Sequence, residues 1–121
     1  MLLRRTIQAT LAIASIVAGV AHAHPALEAA DPGQGATVSS PKEIRLTFTE
    51  DLVAKFSGLT VKDQSGHLVE TANPSVDPSH KRQLIVPISK ALPPGTYDVD
   101  WHAVSADTHR VSGHFSFKVV Q

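Results

Sequence analysis

From His24 onward, apolar and polar positions alternate in short runs instead of recurring at helical spacing. Ile44, Leu46 and Phe48 alternate with Arg45, Thr47 and Thr49, the period of two that marks a strand with one buried face. Leu59 and Val61 repeat the pattern, and Asp63-Gln64-Ser65-Gly66 reads as a turn into a short strand around His67 to Thr71. Leu84 to Ile88 predicts another strand, whose Pro87 pushes its end toward a sheet edge. Pro93-Pro94-Gly95 is a turn, after which Tyr97, Val99 and Trp101 face one way and Asp98, Asp100 and His102 the other. Phe115, Phe117 and Val119 close the chain with the same alternation. No segment sustains a helical period, and Leu52 to Phe56 has room for a single turn. Short strands separated by Pro, Gly, Asn and Ser turns predict an all-β sandwich or barrel.

The N-terminal segment has a different pattern. Arg4 and Arg5 precede an apolar run from Leu11 to Val20, and Ala21-His22-Ala23 is a small-x-small tripeptide. These are the charged, apolar and cleavage regions of a secretory signal peptide over residues 1–23. The apolar run is too short for a membrane anchor, which needs about 20 apolar residues. Arg4-Arg5 also raises twin-arginine export, but the flanking residues match it poorly, and general secretion fits better. Cleavage after Ala23 makes His24 the first residue of the mature chain, with a free α-amine. Gly19-Val20-Ala21 offers a second frame that exposes His22 instead.

Residues 24–121 make one domain of ordinary size. Loss of Arg4 and Arg5 leaves nine Lys/Arg against eleven Asp/Glu, a net charge of −2. That balance supplies neither a basic face for nucleic acid nor a polybasic membrane patch. The chain contains no cysteine, which excludes a disulfide framework, a thiolate metal site and a cysteine nucleophile.

Candidate chemistry concentrates in Asp107-Thr108-His109, inside an Ala103 to Gly113 connection between the last two strands. Alone, Asp-x-His is a common loop hydrogen-bonding pair. An N-terminal histidine changes its meaning, because it offers an amine and a ring nitrogen to the same ion. Two imidazoles, an amine and a carboxylate suit Cu(II) in tetragonal geometry, and copper stands highest in the Irving–Williams order. Ser105, Asp107 and His109 mimic a hydrolase triad, but they crowd into one short stretch with no nucleophile elbow or oxyanion glycines.

With these residues in place, the mature chain resembles the CopC family of periplasmic copper-binding proteins. The resemblance runs from His24-Pro25 through Leu46-Thr47-Phe48-Thr49-Glu50, Phe56-Ser57-Gly58, Pro94-Gly95-Thr96-Tyr97 and Asp100-Trp101 to Val104-Ser105-Ala106-Asp107-Thr108-His109 and Gly113. It implies a Greek-key β-sandwich or barrel of seven or more short strands, immunoglobulin-like or cupredoxin-like. It also implies one Cu(II) ion held by the His24 amine and ring, Asp107 and His109. Glu50 falls where some members carry a further carboxylate: it is a ligand, a supporting group, or a solvated strand-end charge. Asp107 is a ligand or a carboxylate that orients an imidazole. The resemblance further implies a function in copper sequestration, resistance or transport, with an inner-membrane CopD-type copper transporter as partner.

Some family members carry a second, methionine-rich Cu(I) site. Here the one methionine is Met1, so the mature chain offers no soft sulfur donor. His67 and His80 lie in the corresponding region and read as surface residues. A symmetric last hairpin would set Trp101 against Phe115 and His102 against His114, either as a weak secondary metal site or as two independent exposed histidines. Two other classes stand beside the copper carrier: a copper-dependent oxidative enzyme with an amine-plus-imidazole brace, and a metal-free immunoglobulin-like interaction module.

Overall fold

The computed structural model describes residues 25–121, so the proposed signal segment and His24 lie outside the described residues. Eight strands follow one another along the chain: β1 (Leu27–Asp31), β2 (Thr37–Ser39), β3 (Glu43–Phe48), β4 (Gly58–Lys62), β5 (Ser75–Asp77), β6 (His80–Pro87), β7 (Gly95–Val104) and β8 (Arg110–Val120). They form two four-stranded sheets, ordered β1-β3-β6-β5 and β2-β8-β7-β4. Every pairing is antiparallel except that of β2 with β8. The chain passes repeatedly from one sheet to the other, as in Greek-key sandwiches, and the all-β expectation holds.

The period-two runs do what their pattern predicts. Ile44, Leu46 and Phe48 of β3 and Leu84 and Val86 of β6 are buried against Leu59 and Val61, Val99 and Trp101, and Phe115 and Phe117 of the second sheet. Phe48 meets Trp101 edge to face across the sandwich, with ring centroids 5.2 Å apart, the favoured geometry for opposed ring quadrupoles. A single 3-10 turn, Ala54–Phe56, joins β3 to β4, where the sequence has room for one turn.

Several expectations need correcting. β6 is interior, between β3 and β5; Pro87 is tolerated because it is the last residue of the strand, where its missing N–H breaks no ladder. The segment from His67 to Thr71 makes only isolated bridges, Lys62 with Leu68 and Thr71 with Ile88. β1, β2 and β5 carry no alternation because they are short edge strands with largely exposed side chains. The last hairpin is tighter than expected: Val104 pairs with Arg110, leaving residues 105–109 as the loop.

That tight loop sets a different register. Trp101 lies opposite Gly113, Val99 opposite Phe115, His102 opposite Ser112 and Asp100 opposite His114. His102 and His114 therefore do not face each other. The two ring nitrogens of His114 are turned toward separate carboxylates, Nδ1 3.1 Å from Asp100 and Nε2 3.9 Å from Asp98. The His102 ring lies over Gly58, where an added Cβ would meet its Cε1 at 3.3 Å.

At the end of the sandwich away from that loop, the Tyr97 hydroxyl donates to the Pro93 carbonyl at 2.6 Å. Burial raises the phenol pKa, with the Asp63 charge adding to it, so the group remains a donor. Tyr97→Phe should cost about 1 kcal/mol, the net value of one hydrogen bond, read as a small fall in denaturant midpoint at unchanged m-value.

Candidate metal centre

The site is built on the segment that follows β3. Alternation along β3 buries Phe48, and the chain then leaves the sheet through Thr49, Glu50 and Asp51. The start of the domain is fastened here. Ala26 N–H donates to Thr49 Oγ1 at 3.0 Å and Thr49 N–H donates to the Ala26 carbonyl at 3.0 Å. Pro25, which directly follows His24 in the chain, is fully buried.

The same segment holds the β7–β8 loop. Ala106 N–H donates to the Asp51 carbonyl, Val53 N–H donates to the Val104 carbonyl, both at 2.9 Å, and Leu52 bridges to Ser105. Leu52 N–H also donates to the Lys81 carbonyl at 2.8 Å, tying in the start of β6. Ser57 braces the base of the loop: its buried hydroxyl donates to the Val53 carbonyl at 2.8 Å and accepts Val104 N–H at 3.0 Å.

Within the loop, Thr108 has φ of 73°, the left-handed region that a β-branched residue seldom enters. Ser105 closes the turn, its carbonyl accepting Thr108 N–H and its N–H donating to the His109 carbonyl, each at 2.9 Å. The reversal at Thr108 brings Asp107 and His109 together, with Nδ1 of the ring 3.0 Å from Asp107 Oδ2. The other carboxylate oxygen accepts the Ser105 hydroxyl. That donation is the main reason the Asp107 carboxyl sits below the ordinary carboxylate range, with the His109 ring adding to it.

Asp107 also lines an open cleft of about 290 Å³ with Thr49, Glu50, Asp51, Arg82 and Ala106. The structure thus joins Asp107 directly to His109 and sets Glu50 on the same cleft as Asp107. Among the described residues, no three of His, Cys, Asp and Glu form a group able to hold a metal ion. His67 and His80 are on the surface, paired with Asp63 and Asp77 at 3.6 and 3.4 Å. In the sequence Ser105 figures only as a rejected triad member and part of the family motif, with no role at the metal site, and Arg82 does not figure at all. The Ser-x-Asp spacing of a local side-chain turn was available for Ser105, whereas Arg82 arrives from a distant strand and carries no local signal.

Taken together, the fold and this loop define a small two-sheet β-sandwich with an imidazole–carboxylate pair at one end, beside the fastened start of the domain. The chain belongs to the CopC family: the CopC domain model matches residues 27–120. It is similar to "Copper resistance protein C" of Pseudomonas syringae pv. tomato, 40% identical over 133 aligned positions that cover 98% of this chain and 99% of the relative. "Copper resistance protein C" of Escherichia coli is 42% identical over 85% of this chain and 86% of its own length. Among solved structures, PcoC of Escherichia coli, described as a methionine-rich copper resistance protein, superposes with a TM-score of 0.72 at 34% identity, covering 81% of this chain and 100% of that one.

Proposed function

We propose that the protein binds and carries Cu(II) in the periplasm, one ion per chain. The donors are the α-amine and ring of His24 and the His109 ring, with Asp107 as a ligand or as the carboxylate that orients the His109 ring, and Glu50, on the same cleft as Asp107, as a further ligand or supporting carboxylate. The observation that carries this reading is the convergence on one segment. Thr49 fastens Ala26, two residues after His24, while Asp51 fastens the loop bearing Asp107 and His109. Relatives similar over nearly the whole chain are named copper resistance proteins, which selects copper among the ions this donor set suits. Residues 1–23 serve as a cleaved signal peptide, and N-terminal sequencing of exported protein checks this directly. An inner-membrane CopD-type transporter is the proposed partner.

The ion is cargo in this reading, and the chain acts as a carrier rather than an enzyme. The cleft beside Asp107 is lined by Thr49, Glu50, Asp51, Arg82, Ala106 and Asp107, with no aromatic platform for a polymeric substrate. Copper-loaded protein given reductant and polysaccharide should release no oxidised product; such a product would overturn the assignment.

Protons compete with the metal. The reference pKa of an α-amine is near 8 and that of imidazole about 6.5, and a protonated nitrogen of either kind cannot ligate. Asp107, held below the ordinary carboxylate range by the Ser105 hydroxyl, stays ionised across that interval and does not limit binding. Affinity measured by chelator competition should therefore decline steadily from about pH 8 to pH 6. A flat profile over that interval would exclude the amine and imidazoles as ligands.

A further inference from the structure

The two buried polar side chains of the described core, Ser57 and Ser105, lie on either side of Val104 and do different work. Both hydroxyl partners of Ser57 are backbone groups, which is the ordinary service of a buried serine. Ser105, 1% exposed, instead has a side-chain oxygen, Asp107 Oδ1, as the nearer acceptor for its hydroxyl proton, with the His109 carbonyl farther off at 3.3 Å. The Ser105 hydroxyl oxygen also accepts the His109 backbone N–H at 3.2 Å. One buried atom thus grips both members of the imidazole–carboxylate pair, on either side of the left-handed Thr108.

We propose that Ser105 is a positioning residue of the copper site: its hydroxyl anchors Asp107 Oδ1 and the His109 N–H, which aims Asp107 Oδ2 at His109 Nδ1. The inference rests on the Cu(II) reading above. An ionised carboxylate 3.0 Å from Nδ1 accepts the proton carried there and selects the Nδ1–H tautomer, so Nε2 carries the lone pair offered to the metal. A carboxylate seated on Nδ1 lies on the side of the ring away from Nε2, so in this arrangement Asp107 serves the site by orienting the His109 imidazole, the alternative to ligating the ion itself. Without the Ser105 hydroxyl, the Asp107 carboxylate has no fixed rotamer against the ring, and the ligands must be ordered by copper itself. Pre-ordering by hydrogen bonds behind the ligands is ordinarily worth about 10–100-fold in metal affinity.

The test compares the full processed protein with Ser105→Ala, Ser105→Thr and His109→Ala, using Cu(II) competition titrations, electron paramagnetic resonance of the copper-loaded forms, and thermal melts. Ser105→Ala should melt cooperatively, bind Cu(II) about 10–100-fold more weakly and show altered copper hyperfine parameters. Ser105→Thr, which keeps the hydroxyl, should restore both affinity and spectrum. A folded Ser105→Ala with unchanged affinity and spectrum overturns the role of Ser105. Unchanged binding in His109→Ala overturns the copper site itself, so the two failures are separable. Nitrogen-15 NMR of the metal-free parent protein decides the matter even if the Ser105 variants do not fold. A neutral His109 ring protonated at Nδ1 is expected, and one protonated at Nε2 overturns the arrangement.

Discussion

Protein that begins at His24 is expected to bind Cu(II) at least about 100-fold more tightly than the same chain with one extra N-terminal residue, since losing a ligand costs more than losing a supporting hydrogen bond. The extra residue converts the α-amine into an amide and opens the chelate formed by amine and ring. Pro25 sharpens the comparison. Its nitrogen carries no hydrogen, so copper cannot displace a proton from the backbone amide that follows His24. The native start therefore commits two donors and leaves coordination positions for His109 and Asp107. Burial of Pro25 and the paired hydrogen bonds between Ala26 and Thr49 hold the chain just past His24 against Thr49, which lines the cleft. Calorimetry or chelator competition on the two forms settles it, and equal affinities would refute the N-terminal site. The form beginning at His22 belongs in the same series, because it tests whether export trims the chain after Ala21 or after Ala23.

The second large effect concerns stability. Gly113→Ala should cost about 2–3 kcal/mol, the upper range for overpacking a core, and lower Tm by on the order of 15 °C in a domain of this size. Trp101 lies directly opposite Gly113, and its indole covers the glycine. A Cβ added there would stand 2.3 Å from Cζ2 and 2.6 Å from Cε2. The indole cannot retreat easily, since its other side is packed edge to face on Phe48 in a core without slack. The clash lies three rungs from Val104–Arg110, the pair that closes the metal loop, so copper affinity should fall along with stability. In a Trp101→Leu background the same substitution should cost far less, because the two changes share one contact. Equal costs in both backgrounds would show that the glycine is required for some other reason.

These expectations separate what is local from what is not. Strand positions in β3, β7 and β8 were legible because period-two alternation is a property of a few consecutive residues, and one buried face enforces it. The Asp-x-His pair was legible for the same reason, as a short contiguous motif, and the proposed cleavage site rests on the same kind of local pattern. β1, β2 and β5 were not, since edge strands bury too little to imprint a pattern.

The register of the last hairpin is not legible in the sequence. Ala103 to Gly113 reads equally well as a long loop or a tight one, and a shift of two residues keeps every side chain on its face. Alternation alone cannot choose between them. The choice falls to a tertiary contact, the Trp101 indole seated on Gly113, together with the five-residue turn that Ser105 closes across residues 105–109.

By itself, then, the amino-acid sequence determined the all-β class, the buried faces of the long strands, and the short motifs that bear the proposed donor atoms. Only the tertiary structure decided that Glu50 and Arg82 share a cleft with Asp107 and that one segment fastens both Ala26 and the β7–β8 loop. It also set a buried serine hydroxyl against Asp107, beside the imidazole–carboxylate pair. The physical reason is separation along the chain. Alternation and motif spacing act between neighbours, whereas the cleft depends on which strands pair and in what register, and that is settled when the two sheets close over one core.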